Sequence, residues 1–247
     1  STHSHLVGTI QMKKMASLLA LATLAIAGLD ARAQVSSTIT LASDYDFRGI
    51  TQTARDPALS ASLDYSAPSG FYLGAWASNV DFGPGTDADI EVDGLAGFRG
   101  KINDDTTYDL GGVYYSFWGD GDKVAFGELY AGIGYKAVSA KLWYAPDFSN
   151  SGDSATYIEG NVALPLPSDF SLALHAGYMT GAGDYGDAVN DGGYFDYSVG
   201  VSKSIGKFAL TLKYVDGSDL ESSDGTPGDV FTSESKVWFS IATTLPW

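Results

Sequence analysis

Cysteine is absent from the 247-residue chain, so neither a disulfide nor a thiolate metal site can form. Basic residues are scarce: 14 Lys and Arg face 30 Asp and Glu, a formal net charge of −16. That balance argues against nucleic acid as a partner, because phosphate contacts need Lys and Arg. No apolar run reaches the ~18 residues of a membrane-crossing helix, and a mean hydropathy of −0.01 excludes a bundle of such helices. It does not exclude a membrane barrel, in which only every second strand residue faces lipid. What the chain has in quantity is glycine, at 30 residues, and aromatics, at 13%.

The N-terminus reads as a targeting segment. Lys13 and Lys14 precede an apolar run from Met15 to Leu29, and Ala31-Arg32-Ala33 precedes Gln34. This is the order of a basic region, an apolar region and a small-residue cleavage site. A membrane anchor would need a longer run. The expected division is therefore residues 1–33 as upstream residues plus a cleaved signal peptide, and residues 34–247 as the working domain. Export through that signal places the domain in the bacterial outer membrane if the rest of the chain is a barrel. The domain would carry 11 basic and 29 acidic residues, with His175 as its one histidine.

From Val35 to Gly49, alternate residues fall into two classes. Val35, Ile39, Leu41, Tyr45 and Phe47 share one face, and Thr38, Thr40, Asp44, Asp46 and Arg48 share the other. A period of two predicts one long strand with a greasy and a wet face. The same alternation recurs about a dozen times. Short turns, such as Ala67-Pro68-Ser69-Gly70 and Asn103-Asp104-Asp105, alternate with long Gly- and Asp-rich loops such as 180–193 and 216–232. About 12 strands, with short turns at one end and long loops at the other, predict a single antiparallel, up-and-down transmembrane β-barrel with both termini in the periplasm.

A soluble sandwich or propeller is the competing all-β architecture. It does not explain why aromatics stand at strand ends (Tyr65, Phe71, Tyr108, Tyr135, Phe170, Tyr178, Phe208, Tyr214), where a membrane barrel carries its interfacial girdles.

One segment carries a family likeness. Ser43–Gln52 (SDYDFRGITQ), Asp56–Leu59 (DPAL) and Ser69–Phe82 (SGFYLGAWASNVDF) resemble the TorF-type porins, the Gcw_chp outer-membrane family. The terminal Trp247 resembles the aromatic end through which such barrels engage the assembly machinery, although Pro246 beside it cannot donate to a ladder. The resemblance implies fold and location. It implies little about substrate, since fold does not give function.

With each strand oriented by its loop, the inward positions near the outer mouth are Asp44, Asp46, Glu91, Asp93, Glu128, Glu159 and Asp196, opposed by Arg48, Lys213 and Lys236. Near the periplasmic end, Asp64 and Asp109 face Arg99, Lys101, Lys136 and Lys141. The expected lumen is acidic above and basic below. Carboxylate rings favour cations, so the reading is a channel for ions or small solutes with a mild cation preference. The alternative is a non-conducting structural or adhesive barrel acting through acidic loops and cation bridging to lipopolysaccharide. The inward charges could equally be ion pairs that hold the wall together, and Asp44, Asp46 and Arg48 could be a selectivity row or a closure clamp. Loop 216–232 could fold inward. An enzyme is not expected: a hydrolase needs a nucleophile, a histidine and an orienting group together, and His175 is alone. No cofactor is expected, and the acidic loops lack EF-hand spacing. The expected partners are outer-membrane lipid, lipopolysaccharide, the barrel-assembly machinery, and small solutes or ions.

Overall fold

The structure, a computed structural model, describes residues 34–83, 87–119, 124–181, 193–218 and 234–246. The expectations for the signal segment, for Trp247 and for most of loops 180–193 and 216–232 lie outside these residues. Twelve long strands close into one barrel. In chain order they are β1 (Gln34–Ala42), β4 (Ala58–Ser66), β5 (Phe71–Asn79), β6 (Ile90–Lys101), β7 (Thr106–Trp118), β8 (Phe126–Tyr135), β9 (Val138–Ala145), β10 (Ala155–Leu166), β11 (Phe170–Gly181), β12 (Tyr194–Ile205), β13 (Phe208–Ser218) and β14 (Lys236–Pro246). Two short strands, β2 (Asp46–Phe47) and β3 (Ile50–Thr51), form a separate hairpin between β1 and β4.

Every long strand pairs antiparallel with its chain neighbour. The ring closes where β1 pairs with both β4 and β14, Leu41 lying opposite Leu59 on one side and Ile241 on the other. Closure leaves no open edge, which lets a sheet satisfy its backbone groups in a hydrocarbon medium.

Alternation decides which side chains meet lipid. Leu41, Leu73, Phe98, Leu129, Ile158, Leu212 and Val237 all point outward and are exposed. Such a continuous apolar exterior suits acyl chains, not water. Of the strand-end aromatics, Tyr135, Phe170, Phe208 and Tyr214 are exposed on the outer surface as a girdle requires. The inward parity carries glycine where a neighbouring tyrosine lies flat on the wall. At Gly97 the Tyr72 ring and hydroxyl occupy the space a Cβ would need, and Tyr130 does the same at Gly111.

The single long strand expected over Val35–Gly49 does not form. The last ladder bond on this side runs from Ser43 N–H to the Phe239 carbonyl, and the chain then turns into the barrel. Period two continues through Asp46–Phe47 because that segment is also extended, but it belongs to the small hairpin. Tyr45 and Phe47, expected on the lipid face, therefore lie inside. Lys136 is likewise not a lumen residue: it sits with positive φ in the tight β8–β9 turn and pairs with exposed Asp105 at 3.7 Å.

Candidate functional site

The first loop, residues 43–57, occupies the lumen at the long-loop end. Its hairpin turns on Arg48 (φ 52°) and Gly49 (φ 82°), two left-handed residues between the paired Phe47 and Ile50. Two central residues with positive φ make the turn whose twist matches a tight hairpin. Gly49 is required for a second reason: a Cβ there would lie 2.7 Å from the Cβ of Asp196 on β12. The hairpin thus touches the wall at β12, three strands round the ring from β1.

Arg48 fixes that crossing. Its Nη1 and Nη2 donate to Glu128 Oε1 and Oε2 on β8 at 2.9 and 2.7 Å. The pair is nearly solvent-free, with side chains 7% and 1% exposed. The guanidinium also lies 4.3 Å from the Tyr157 ring centroid and 4.7 Å from that of Phe47. Burial alone would lower the Arg48 pKa, but the adjoining Glu128 carboxylate outweighs it and holds the pKa above its ordinary value. Tyr115 donates a further bond to Glu128 at 2.9 Å. The two bonds of one bidentate pair and a phenol satisfy this carboxylate, the condition under which a buried ion pair is tolerated.

The base of the hairpin is tied to β14 and β13. Asp44 accepts from Lys236 Nζ at 2.5 Å and from the Thr51 and Thr53 hydroxyls at 2.5 and 2.9 Å. Lys236 also pairs with Asp46 at 2.9 Å, and Lys213 reaches Asp46 at 3.5 Å. Trp238 Nε1 donates to the Asp44 carbonyl at 2.7 Å. On the β6 side, the Tyr45 hydroxyl donates to Glu91 at 3.2 Å and its ring lies tilted against Trp76, with centroids 5.0 Å apart. Burial first, and then Glu91 and Asp93, push the Tyr45 phenol well above its usual pKa, so it stays a donor.

Apolar contacts complete the seat. Ile50 packs into a buried cluster with Tyr115, Phe126, Phe148, Tyr157, Met179 and Tyr194, and Phe47 lies against it. The outer half of the lumen therefore contains a small hydrophobic core as well as the acidic residues expected there.

The inner half is arranged differently. Lys141 pairs with Asp109 at 2.8 Å and lies 4.5 Å over the Tyr130 ring. Tyr72 donates to Asp109 at 2.6 Å and touches the Tyr130 hydroxyl. Arg99 lies over the Tyr72 ring and donates to Ser66 Oγ at 2.6 Å. Between hairpin and turns, a chamber of about 400 Å³ is lined by Asp64, Trp76, Asp93, Arg99, Asp109, Tyr115, Lys141 and Trp143, among others.

A third group surrounds His175 on β11. Its Nε2 lies 2.8 Å from Asp196 and 3.1 Å from the Tyr157 hydroxyl; its Nδ1 lies 2.8 Å from Asn161 Oδ1 and 3.6 Å from Glu159. Trp143 Nε1 donates to Glu159 at 2.9 Å. The histidine's partners are carboxylates, an amide and a phenol, and no serine hydroxyl stands among them.

Sequence reasoning put Asp44, Asp46, Glu91, Asp93, Glu128, Glu159, Asp196, Arg99 and Lys213 inside the barrel, and they are inside. It missed that Asp44, Asp46 and Arg48 come from a loop and that Arg48 reaches Glu128; the ion pairing it weighed is present for Asp44, Asp46, Arg48, Glu128 and Lys213. It also missed the inward aromatics Tyr72, Trp76, Tyr115, Tyr130, Trp143 and Tyr157. The signal for them was present: each falls on the wet parity of its strand, where a water-filled pore would carry small polar residues.

A closed 12-stranded barrel with an apolar exterior and a polar, partly filled lumen is the architecture of outer-membrane porins and channels. Solved structures agree at the level of fold. The KdgM porin superposes with a TM-score of 0.55 at 10% identity, over 87% of this chain and 99% of that one. The NanC porin gives 0.56 at 13% identity over 84% and 98%. A second KdgM structure, in complex with disordered oligogalacturonate, gives 0.54 at 10% identity over 87% and 99%. Among curated protein sequences none is significantly similar. The chain belongs to the family described as "Bacterial protein of unknown function (Gcw_chp)", whose model matches residues 27–245.

Proposed function

We propose that this protein is a bacterial outer-membrane channel for small solutes or ions, with its first loop as an internal constriction. The observation that carries the reading is the hairpin at 46–51, clamped across the lumen by the bidentate Arg48–Glu128 pair at 2.7 and 2.9 Å. A wall meant only to be closed needs no side-chain clamp, since interior residues can fill a small barrel directly. Here a separate segment is laid across a lumen that keeps a chamber of about 400 Å³ beneath it. The composition of the mouth supports a mild cation preference: among the described residues Glu91 and Asp93 pair with no Lys or Arg, whereas Arg48, Lys213 and Lys236 are each engaged by a carboxylate. Asp44, Asp46, Arg48, Glu128 and Lys213 act on selectivity through the position of the hairpin, and Glu91, Asp93 and Arg99 through the chamber. Glu159 and Asp196 hold the His175 group that backs the hairpin tip. The KdgM porin has been seen with an acidic oligosaccharide; the acidic mouth of this lumen favours solutes of the other sign.

The second reading is a non-conducting barrel acting through its acidic loops. The burial of Ile50, Thr51 and Thr53 in the lumen favours it. Single-channel recording of the refolded barrel, residues 34–247, in planar bilayers under a KCl gradient separates the two. Steps with a cation-favouring reversal potential support the channel. Their absence from folded protein, in the wild type and in a hairpin-shortened variant alike, rejects it. Anion-favouring steps reject the cation preference alone.

A further inference from the structure

The chamber holds two groups of opposite charge that the barrel does not pair. Three carboxylates line it, Asp64, Asp93 and Asp109, and two bases, Arg99 and Lys141. Asp109 pairs with Lys141 at 2.8 Å, and the Asp93 carboxyl shares a hydrogen bond with that of Glu91. Asp64 and Arg99 remain. Among the described residues no Lys or Arg pairs with Asp64, and no Asp or Glu pairs with Arg99. Each is held by a serine instead: Ser62 Oγ donates to Asp64 Oδ2 at 2.7 Å, and Arg99 Nη2 donates to Ser66 Oγ at 2.6 Å.

The two serines hold the charges apart. Asp64 and Ser66 share the inward face of β4, two residues and about 7 Å from each other at strand rise. Ser62 draws the Asp64 carboxylate toward the loop end. Arg99 reaches across β5 to Ser66, with its guanidinium 4.7 Å from the Tyr72 ring centroid. Tyr72 is itself fixed by Asp109 at 2.6 Å, so the guanidinium has a firm support. Asp64 Oδ1 lies over Gly74, where a Cβ would stand 3.3 Å from it. Glycine at 74 therefore keeps β5 from covering that oxygen.

We propose that Asp64 and Arg99 bind a small zwitterion of the α-amino-acid type, Asp64 taking the ammonium group and Arg99 the carboxylate. The inference rests on the channel reading for the route by which the solute arrives, and it names the solute class. A simple cation or anion would answer one of the two charges and leave the other facing the chamber. A molecule that carries both on one carbon answers both, through charge-assisted bonds of about 2.8 Å that converge on its head group. The guanidinium fork matches a carboxylate in shape as well as charge. The rest of the chamber selects an apolar side chain: Trp76, Leu95, Val113 and Trp143 line it, and about 400 Å³ accommodates a molecule the size of leucine.

The test is a tryptophan-fluorescence titration, at neutral pH, of the refolded barrel, residues 34–247, in detergent micelles. Leucine is the probe. The comparators are 3-methylbutylamine, which lacks its carboxylate, and 4-methylpentanoate, which lacks its ammonium group. The expected result is saturable binding of leucine, with each comparator weaker by about tenfold or more. Asp64→Asn should weaken leucine to a similar degree without weakening 4-methylpentanoate. Arg99→Gln should weaken leucine without weakening 3-methylbutylamine. Both variants are first shown to fold by their heat-modifiable gel migration. Unchanged leucine affinity in either variant, a comparator that binds as tightly as leucine, or no saturation by leucine overturns the proposal. Conductance is recorded on the same preparations. Conducting protein that does not bind leucine overturns this inference and leaves the channel standing. Protein that binds leucine but never conducts overturns the channel and leaves the zwitterion site.

Discussion

The two halves of the lumen are built on opposite plans. At the loop end, a segment of chain fills the bore and is held by ion pairs from three strands and by an apolar cluster around Ile50. At the turn end, the wall itself does the work: tyrosines lie flat over glycines, and partly exposed pairs such as Lys141–Asp109 border an open chamber. The contrast shows where a barrel of this width places its control. A loop fills one half of the bore, and in the other half the wall borders a chamber.

Four changes test this contrast. The largest effect is expected from removing the hairpin. Gln52 N–H already bonds to the Tyr45 carbonyl at 2.7 Å, so Gly-Gly can replace residues 46–51 without straining the ends. Conductance should then rise several-fold, read in planar bilayers; an unchanged step size would mean that the hairpin is not the narrowest point. Next comes Arg48→Ala, which strands Glu128 in a solvent-free site and should cost about 3–5 kcal/mol, measured by urea unfolding in micelles. Adding Glu128→Gln should restore part of that loss, because the uncompensated charge is gone. In the inner half, Gly97→Ala drives a methyl into Tyr72 and should cost about 1–3 kcal/mol with no change in ion selectivity. The smallest effect belongs to Arg55→Ala. Its pair with Glu234 at 2.9 Å is exposed on both sides, and stability should move by less than about 0.5 kcal/mol. A large loss there would show that the loop is anchored at its exit and not at Arg48.

Much of the barrel was legible in the sequence because lipid on one side and a polar lumen on the other impose period two on every strand. That pattern gave the strand number, the short turns and the inward set from Glu91 to Asp196. It failed at Ser43. An inward hairpin is also extended, so Tyr45 and Phe47 continue the alternation of β1 although they leave the wall. Arg48-Gly49 is not one of the residue pairs that announce such a turn; its left-handed Arg48 is held by Glu128, a residue 80 positions away in the chain.

Composition and alternation therefore determined by themselves that this chain is an all-β barrel with an apolar exterior and an acidic interior. They act on each strand separately, and lipid rewards each outward residue alone. Which charges meet depends largely on closure: Arg48 with Glu128 and Lys236 with Asp44 join segments 80 and 192 positions apart, which face one another only once β1 has paired with β14. Glu91 and Asp93 instead meet locally, two residues apart on one face of β6, where their carboxyl groups hydrogen-bond each other.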